Sequence, residues 1–161
     1  MKPASTLNTS PPKRKHIRLP PGAYYKPGTW YFITICCRGK QPLLDTPDKR
    51  DLVRELLRQT ATVHCVELAA YTILPNHLHV ICSAGKKGLP GFVREFKSRT
   101  AVEFKRLFGE GSPWQFRYFD HKIRSEESLR NKCRYVWFNP VRRGLAPKPE
   151  DYPWSGALRT G

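Results

Sequence analysis

The chain has 161 residues, with 29 Lys+Arg against 13 Asp+Glu and 39% hydrophobic content: one domain's worth of sequence carrying sixteen surplus positive charges. Its apolar runs, such as residues 33–37 and 80–82, fall far short of the roughly 20 residues a bilayer-spanning helix needs, and no apolar stretch follows the basic N-terminus as in a secretory signal. The expectation is an intracellular, cytoplasmic protein with no membrane partner, and a field of this sign points to polyanions, nucleic acid first.

Residues 1–22 hold five prolines among Ser, Thr and basic side chains without apolar periodicity, so they read as a flexible basic arm ahead of a single domain over residues 23–161. Lys13, Arg14, Lys15 and Arg18 in this arm are candidate phosphate contacts. The first 44 residues carry eight Lys/Arg and no acid. Residues 29–37 (TWYFITICC) are aromatic and β-branched, which is strand composition. Thr46-Pro47-Asp48 then announces a helix, with threonine as N-cap and proline at the first helical position; Leu52, Val53, Leu56, Leu57 and Val63 give it one apolar face.

Residues 65–74 read as a second strand, Pro75-Asn76 as a short hairpin-like connection, and residues 77–83 as a third strand. A basic amphipathic helix is predicted over about residues 89–108, its apolar side including Phe92, Val93, Phe96 and Phe104, with Arg94, Lys97, Arg99, Lys105 and Arg106 interleaved. Arg94, Lys97 and Arg99 are its candidate nucleic-acid contacts. Residues 114–123 are again strand-like, and Ser125 caps a last helix whose end is expected at Pro140 and Gly144. The order β-α-β-β-α-β followed by a helix predicts an α+β, ferredoxin-like (split βαβ) antiparallel sheet, with the face opposite its two helices open to a ligand. Five cysteines without CxxC spacing read as reduced, buried thiols.

Two features carry chemistry. His77 and His79 are two apart in a predicted strand, so both imidazoles share a face while Leu78 and Val80 take the other, a platform for two ligands to a divalent metal. Asn131, Tyr135 and Asn139 lie at four-residue spacing on the last helix, a stripe in which a phenol is one turn from a carboxamide. Each has a plainer reading: a structural histidine pair, a packing tyrosine, an asparagine that ends a helix before proline.

The blocks LPNHLHVI, FKSRTAVEFKR, WQFRYFDHKIRSEESL, RYVWFNPVRRGLA and DYPWSG, in that order within residues 24–156, resemble the single-tyrosine HUH (IS200-like) transposases, and among them the REP-associated tyrosine transposases of bacteria. The resemblance implies that His77 and His79 are metal ligands, that Tyr135 is the nucleophile, and that Asn139 offers a third ligand. His121 falls in a recurrent block and is a candidate supporting residue. It further implies a nucleoid-associated enzyme that cleaves and rejoins single-stranded or hairpin DNA through a 5′-phosphotyrosine, using Mg²⁺ or Mn²⁺. Monomer and homodimer, and hence use of Tyr135 within one chain or across two, stay open at this point.

A contrasting reading is a non-catalytic single-stranded nucleic-acid-binding module that stacks bases on sheet aromatics such as Trp30, Tyr31, Phe32, Trp114, Phe116, Tyr118 and Phe119. A zinc hydrolase with water as nucleophile ranks below both, since the sequence has no HExxH motif.

Overall fold

The computed structural model describes residues 28–157. The basic arm, with Lys13, Arg14, Lys15 and Arg18, lies outside the described residues. Eight main elements follow: strand β1 (Trp30–Cys36), helix α1 (Pro47–His64), β2 (Leu68–Leu74), β3 (His77–Ser83), α2 (Gly88–Phe108), β4 (Phe119–Ile123), α3 (Glu126–Arg142) and β5 (Ser155–Ala157). The strands form one sheet in the order β4-β1-β3-β2-β5, every neighbouring pair antiparallel. The first four strands with α1 and α2 make the expected split βαβ arrangement. The short β5, absent from the sequence reading, adds a fifth strand beyond β2, over residues 70–72.

Alternation along the strands sorts the side chains into two layers. Tyr31, Ile33 and Ile35 of β1 and Leu78, Val80 and Cys82 of β3 pack with Leu56, Leu57, Phe92, Phe96 and Phe104 of the first two helices, all buried. Full burial of each such side chain contributes on the order of 1.5–3 kcal/mol. The opposite face is not open along its length. Helix α3 covers part of it, seating Leu129, Cys133 and Val136 on Ala69, Ala70, Ile81 and Ile123.

Helix α1 begins as expected: Thr46 Oγ1 accepts from the Lys49 N–H at 3.3 Å, with Pro47 in the first turn. It ends on Cys65, whose φ of 53° is left-handed and whose N–H closes the last turn, so strand pairing starts at Leu68 and not at residue 65. Cys65 is exposed in consequence, whereas Cys37, Cys82 and Cys133 are buried and Cys36 is half-buried; all five are free thiols.

Two further expectations are corrected. Residues 114–123 do not form one strand, because only Phe119–Ile123 pairs as β4, with Trp114 making a lone bridge to Cys37. Nor does Pro140 end α3, which continues to Arg142. A proline cannot donate to the Val136 carbonyl four residues back and its ring crowds that carbonyl, yet the chain stays helical for two residues past it. The Arg142 guanidinium also donates to the Tyr135 carbonyl. The true stop is a Schellman turn: Leu145 N–H donates to the Pro140 carbonyl at 2.8 Å and Gly144 N–H to Val141 at 3.0 Å, with Gly144 at φ 69°. No helix of the described residues is long and apolar enough to cross a membrane.

Candidate active site

Strand alternation sends His77 and His79 to the α3 face, as the two-residue spacing requires. Both are 8% exposed. Their Nε2 atoms approach to 3.2 Å with the rings nearly perpendicular, so the two ring nitrogens lie side by side. The outer nitrogens are held from behind. His77 Nδ1 lies 2.6 Å from Asn76 Oδ1, and since an amide oxygen only accepts, Nδ1 carries the proton and Nε2 is left as a donor to a cation. His79 Nδ1 is 2.8 Å from the Thr34 hydroxyl, which can serve the same end.

Burial pushes His77 down to about 4, with help from the Arg143 charge, and pushes His79 down to about 3, with help from His77 and Arg143. Both imidazoles are therefore neutral at physiological pH, the form that ligates metals. The donor set suits a divalent ion that keeps several oxygen ligands. Among the described residues no group of three or more His, Cys, Asp or Glu is assembled, so the pair supplies two nitrogens and the rest must come from amide, water or phosphate oxygen.

Tyr135 stands over this pair on α3. Its ring centroid is 6.2 Å from that of His79 and 6.2 Å from Phe32, both edge-on, and Phe32 itself stacks on His79 at 5.2 Å. The side chain remains 48% exposed, which a packing tyrosine would not be. The Arg142 guanidinium lies 4.4 Å from the ring centroid, a cation–π contact that fixes the ring from its outer side. The same chain thus supplies the histidine pair and the phenol. An open hollow of about 380 Å³ runs along the outside of α3, lined by Asn131, Arg134, Tyr135, Phe138 and Arg142.

Asn139 is buried, one turn beyond Tyr135, but its Oδ1 accepts from Arg143 Nε at 3.0 Å. Arg143 was not among the residues singled out from sequence. It is the next member of the four-residue stripe from Asn131 through Tyr135 and Asn139, and that periodicity is the signal by which it could have been found. Arg142, Asn76 and Thr34 were likewise missed; only a register, not a spacing, places Thr34 opposite His79.

The remaining candidates are dispersed. His121 is exposed on β4, paired across from Phe32 and so on the same face as the histidine pair. Arg94 and Arg99 lie on α2, in the layer behind the sheet, where Arg99 pairs with Glu95 at 3.5 Å. Lys97 is not a free phosphate contact: its ammonium donates to the carbonyls of Gln115 at 2.9 Å and Phe116 at 3.1 Å. Of the aromatics offered as a stacking platform, Tyr31 and Trp114 are buried and Phe32 lies beneath Tyr135, whereas Phe116 is 96% exposed.

Residues 26–138 match the family described as Transposase IS200 like, a span that takes in His77, His79 and Tyr135 and stops one residue short of Asn139. The REP-associated tyrosine transposase of Escherichia coli K12 is 30% identical over 135 residues, covering 82% of this chain and 78% of the relative. A solved REP-associated tyrosine transposase bound to a REP hairpin superposes with a TM-score of 0.68 at 26% identity, over 82% of this chain and 78% of that one. A Deinococcus radiodurans R1 crystal structure shares the fold at a TM-score of 0.53 and 22% identity, over 74% of this chain and 95% of its own. The chain belongs to the IS200-like transposase family, and within it is similar to the REP-associated tyrosine transposases.

Proposed function

We propose that the protein is a metal-dependent endonuclease and strand transferase for single-stranded, hairpin-bearing DNA, working through a 5′-phosphotyrosine on Tyr135. The observation that carries this reading is the contact between a half-exposed phenol and a buried, neutral histidine pair whose Nε2 atoms lie 3.2 Å apart. Tyr135 Oη attacks the phosphorus, the bond to the 3′-oxygen breaks, and the phenol's proton is balanced by the proton the released 3′-hydroxyl gains. The phosphodiester energy is kept in the Tyr–O–P link, so attack by a 3′-hydroxyl reverses the step and rejoins DNA. A phenol with an ordinary pKa near 10 is a weak nucleophile at neutral pH and needs both activation and placement.

His77 and His79 would hold the divalent ion, Mg²⁺ or Mn²⁺, with the Asn139 amide as an adjacent oxygen donor once Arg143 releases it. Bound there, such an ion supplies Lewis-acid polarisation of a phosphate oxygen. The chain's own groups do the rest. Arg142 holds the phenol ring, Asn76 and Thr34 hold the imidazoles, and Phe32 forms the floor on which His79 stacks. That all of these lie in one chain supports a reading in which a subunit uses its own Tyr135. A hairpin with an unpaired flank is the substrate form that fits, since a regular duplex resists the bend needed to bring one phosphate under α3.

The test is to incubate the protein with labelled hairpin oligonucleotides copied from palindromic repeats around its own gene, with Mn²⁺, Mg²⁺ or EDTA, and to resolve covalent adducts on a denaturing gel. A metal-dependent adduct that is lost in Tyr135→Phe, with DNA binding retained, is the expected outcome. An adduct of normal yield in that variant refutes Tyr135 as nucleophile, and hairpin binding with no adduct in any metal supports the non-catalytic alternative.

A further inference from the structure

The edge of the sheet beside the histidine pair carries an irregularity that the catalytic reading leaves without a role. Trp114 opposes Cys37 and Phe119 opposes Thr34, so five residue steps on this side face three on β1. Two extra residues must leave the ladder, and they leave it between Gln115, whose N–H still donates to the Cys36 carbonyl at 3.0 Å, and the start of β4. The bulge is pinned. Lys97 reaches from α2 to hold two successive carbonyls, those of Gln115 and Phe116. Arg38 Nε donates to the Ser112 carbonyl at 2.6 Å on the same edge.

What this rigid loop displays is Phe116, 96% exposed, followed by an exposed Arg117. A large aromatic held out into water on a built loop costs solvation unless something covers it. Within residues 111–119 the one charge is the Arg117 guanidinium, with Glu110 and Asp120 bounding the stretch. Cys36 pairs directly with His77, which puts the bulge about two strand spacings, roughly 10 Å, from the catalytic pair. A protruding aromatic beside a guanidinium is a combination that takes a nucleobase and its phosphate together.

We propose that the Gln115–Tyr118 bulge is a nucleotide subsite, in which an unpaired DNA base next to the cleaved phosphate stacks on Phe116 while Arg117 meets its backbone and Lys97 positions the loop. This rests on the DNA-processing reading above. Lys97 then acts on DNA through the loop and not through a phosphate, which is why its ammonium is spent on carbonyls.

The experiment uses the full chain in EDTA, so that no cleavage intervenes, and a gene-flanking hairpin whose single-stranded flank carries 2-aminopurine at successive positions. Wild type should alter the probe's fluorescence at one or two flank positions. Phe116→Ala should abolish that signal and weaken binding of the flanked hairpin on the order of tenfold, while leaving a flankless hairpin unaffected. Phe116→Trp should restore both. Lys97→Met should lose the stacking signal although Phe116 is present, an effect that removal of one charge would not produce. Equal affinity and equal fluorescence for wild type and Phe116→Ala would overturn the proposal. A parallel adduct assay with Mn²⁺ separates the two readings: a stacking signal without adduct supports the subsite and sinks the catalytic reading, and adduct formation without any effect of Phe116→Ala does the reverse.

Discussion

Lowering the pH of the metal-free protein from 8 to 5 should destabilise it. His77 and His79 are buried, and their folded values of about 4 and about 3 lie below the ordinary 6.5 of an unfolded histidine. Between those limits the unfolded chain binds protons that the folded chain refuses. Stability is therefore full above about 6.5 and is lost as the pH falls toward 4. At pH 5 both imidazoles are still neutral when folded, so the loss depends only on the 1.5 units separating pH 5 from the unfolded value. That amounts to about 2 kcal/mol per histidine, about 4 kcal/mol for the pair, against a typical domain stability of about 5–15 kcal/mol.

Urea unfolding in EDTA at pH 8 and pH 5 measures this, with the His77→Gln/His79→Gln double variant as the reference that lacks these two imidazoles. Lys49 holds Asp45, and His64 holds Glu95, below their ordinary values, so neither of these carboxylates takes up a proton in this window. The same neutrality means that Mn²⁺ has no proton to displace, so its affinity should stay level from pH 8 to 5, where an ordinary exposed histidine site would weaken. A wild-type stability that is flat across this range, or a double variant with the same pH slope as wild type, would refute the reasoning.

Tyr152→Phe removes the hydroxyl that donates to the Ile73 carbonyl at 2.6 Å inside the fold, and should cost about 1 kcal/mol in urea unfolding without changing DNA affinity. Deleting residues 1–20 removes Lys2, Lys13, Arg14, Lys15 and Arg18. If these follow a single strand, the slope of log affinity against log salt should shrink by up to about 0.7 per lost contact in a binding titration, and an unchanged slope would mean the arm takes no part.

Most of the scaffold was legible because local and global signals agree in it. Thr46-Pro47 marks a helix start that the structure uses, and the HLHVICS run alternates between two faces that are both buried, which fixes where the histidines point. The failures have local causes. Pro140 reads as a stop by propensity, yet one missing donor does not unwind the residues after it, and the Gly144 turn decides the terminus. The aromatic run at residues 114–123 has strand composition throughout, but composition cannot show that two residues drop out of register. Arg94, Lys97 and Arg99 were grouped by charge, whereas the layer that α2 occupies, and the carbonyls within reach of Lys97, were set by tertiary packing.

The site's geometry depends on one joint. Tyr135, Asn139, Arg142 and Arg143 ride on a single helix, so their spacing to one another is fixed by the helix itself; His77 and His79 ride on a central strand and are equally fixed. Only the seating of α3 on the sheet sets one group against the other. That seating is made by Leu129, Cys133 and Val136 against Ala69, Ala70 and Ile81, and the two alanines let the helix backbone come close. A misplacement of about 1 Å between nucleophile and phosphate can cost on the order of a hundredfold in rate. On the catalytic reading proposed above, the small residues at this seam would bear on rate as directly as the histidines, because they set the phenol against the pair.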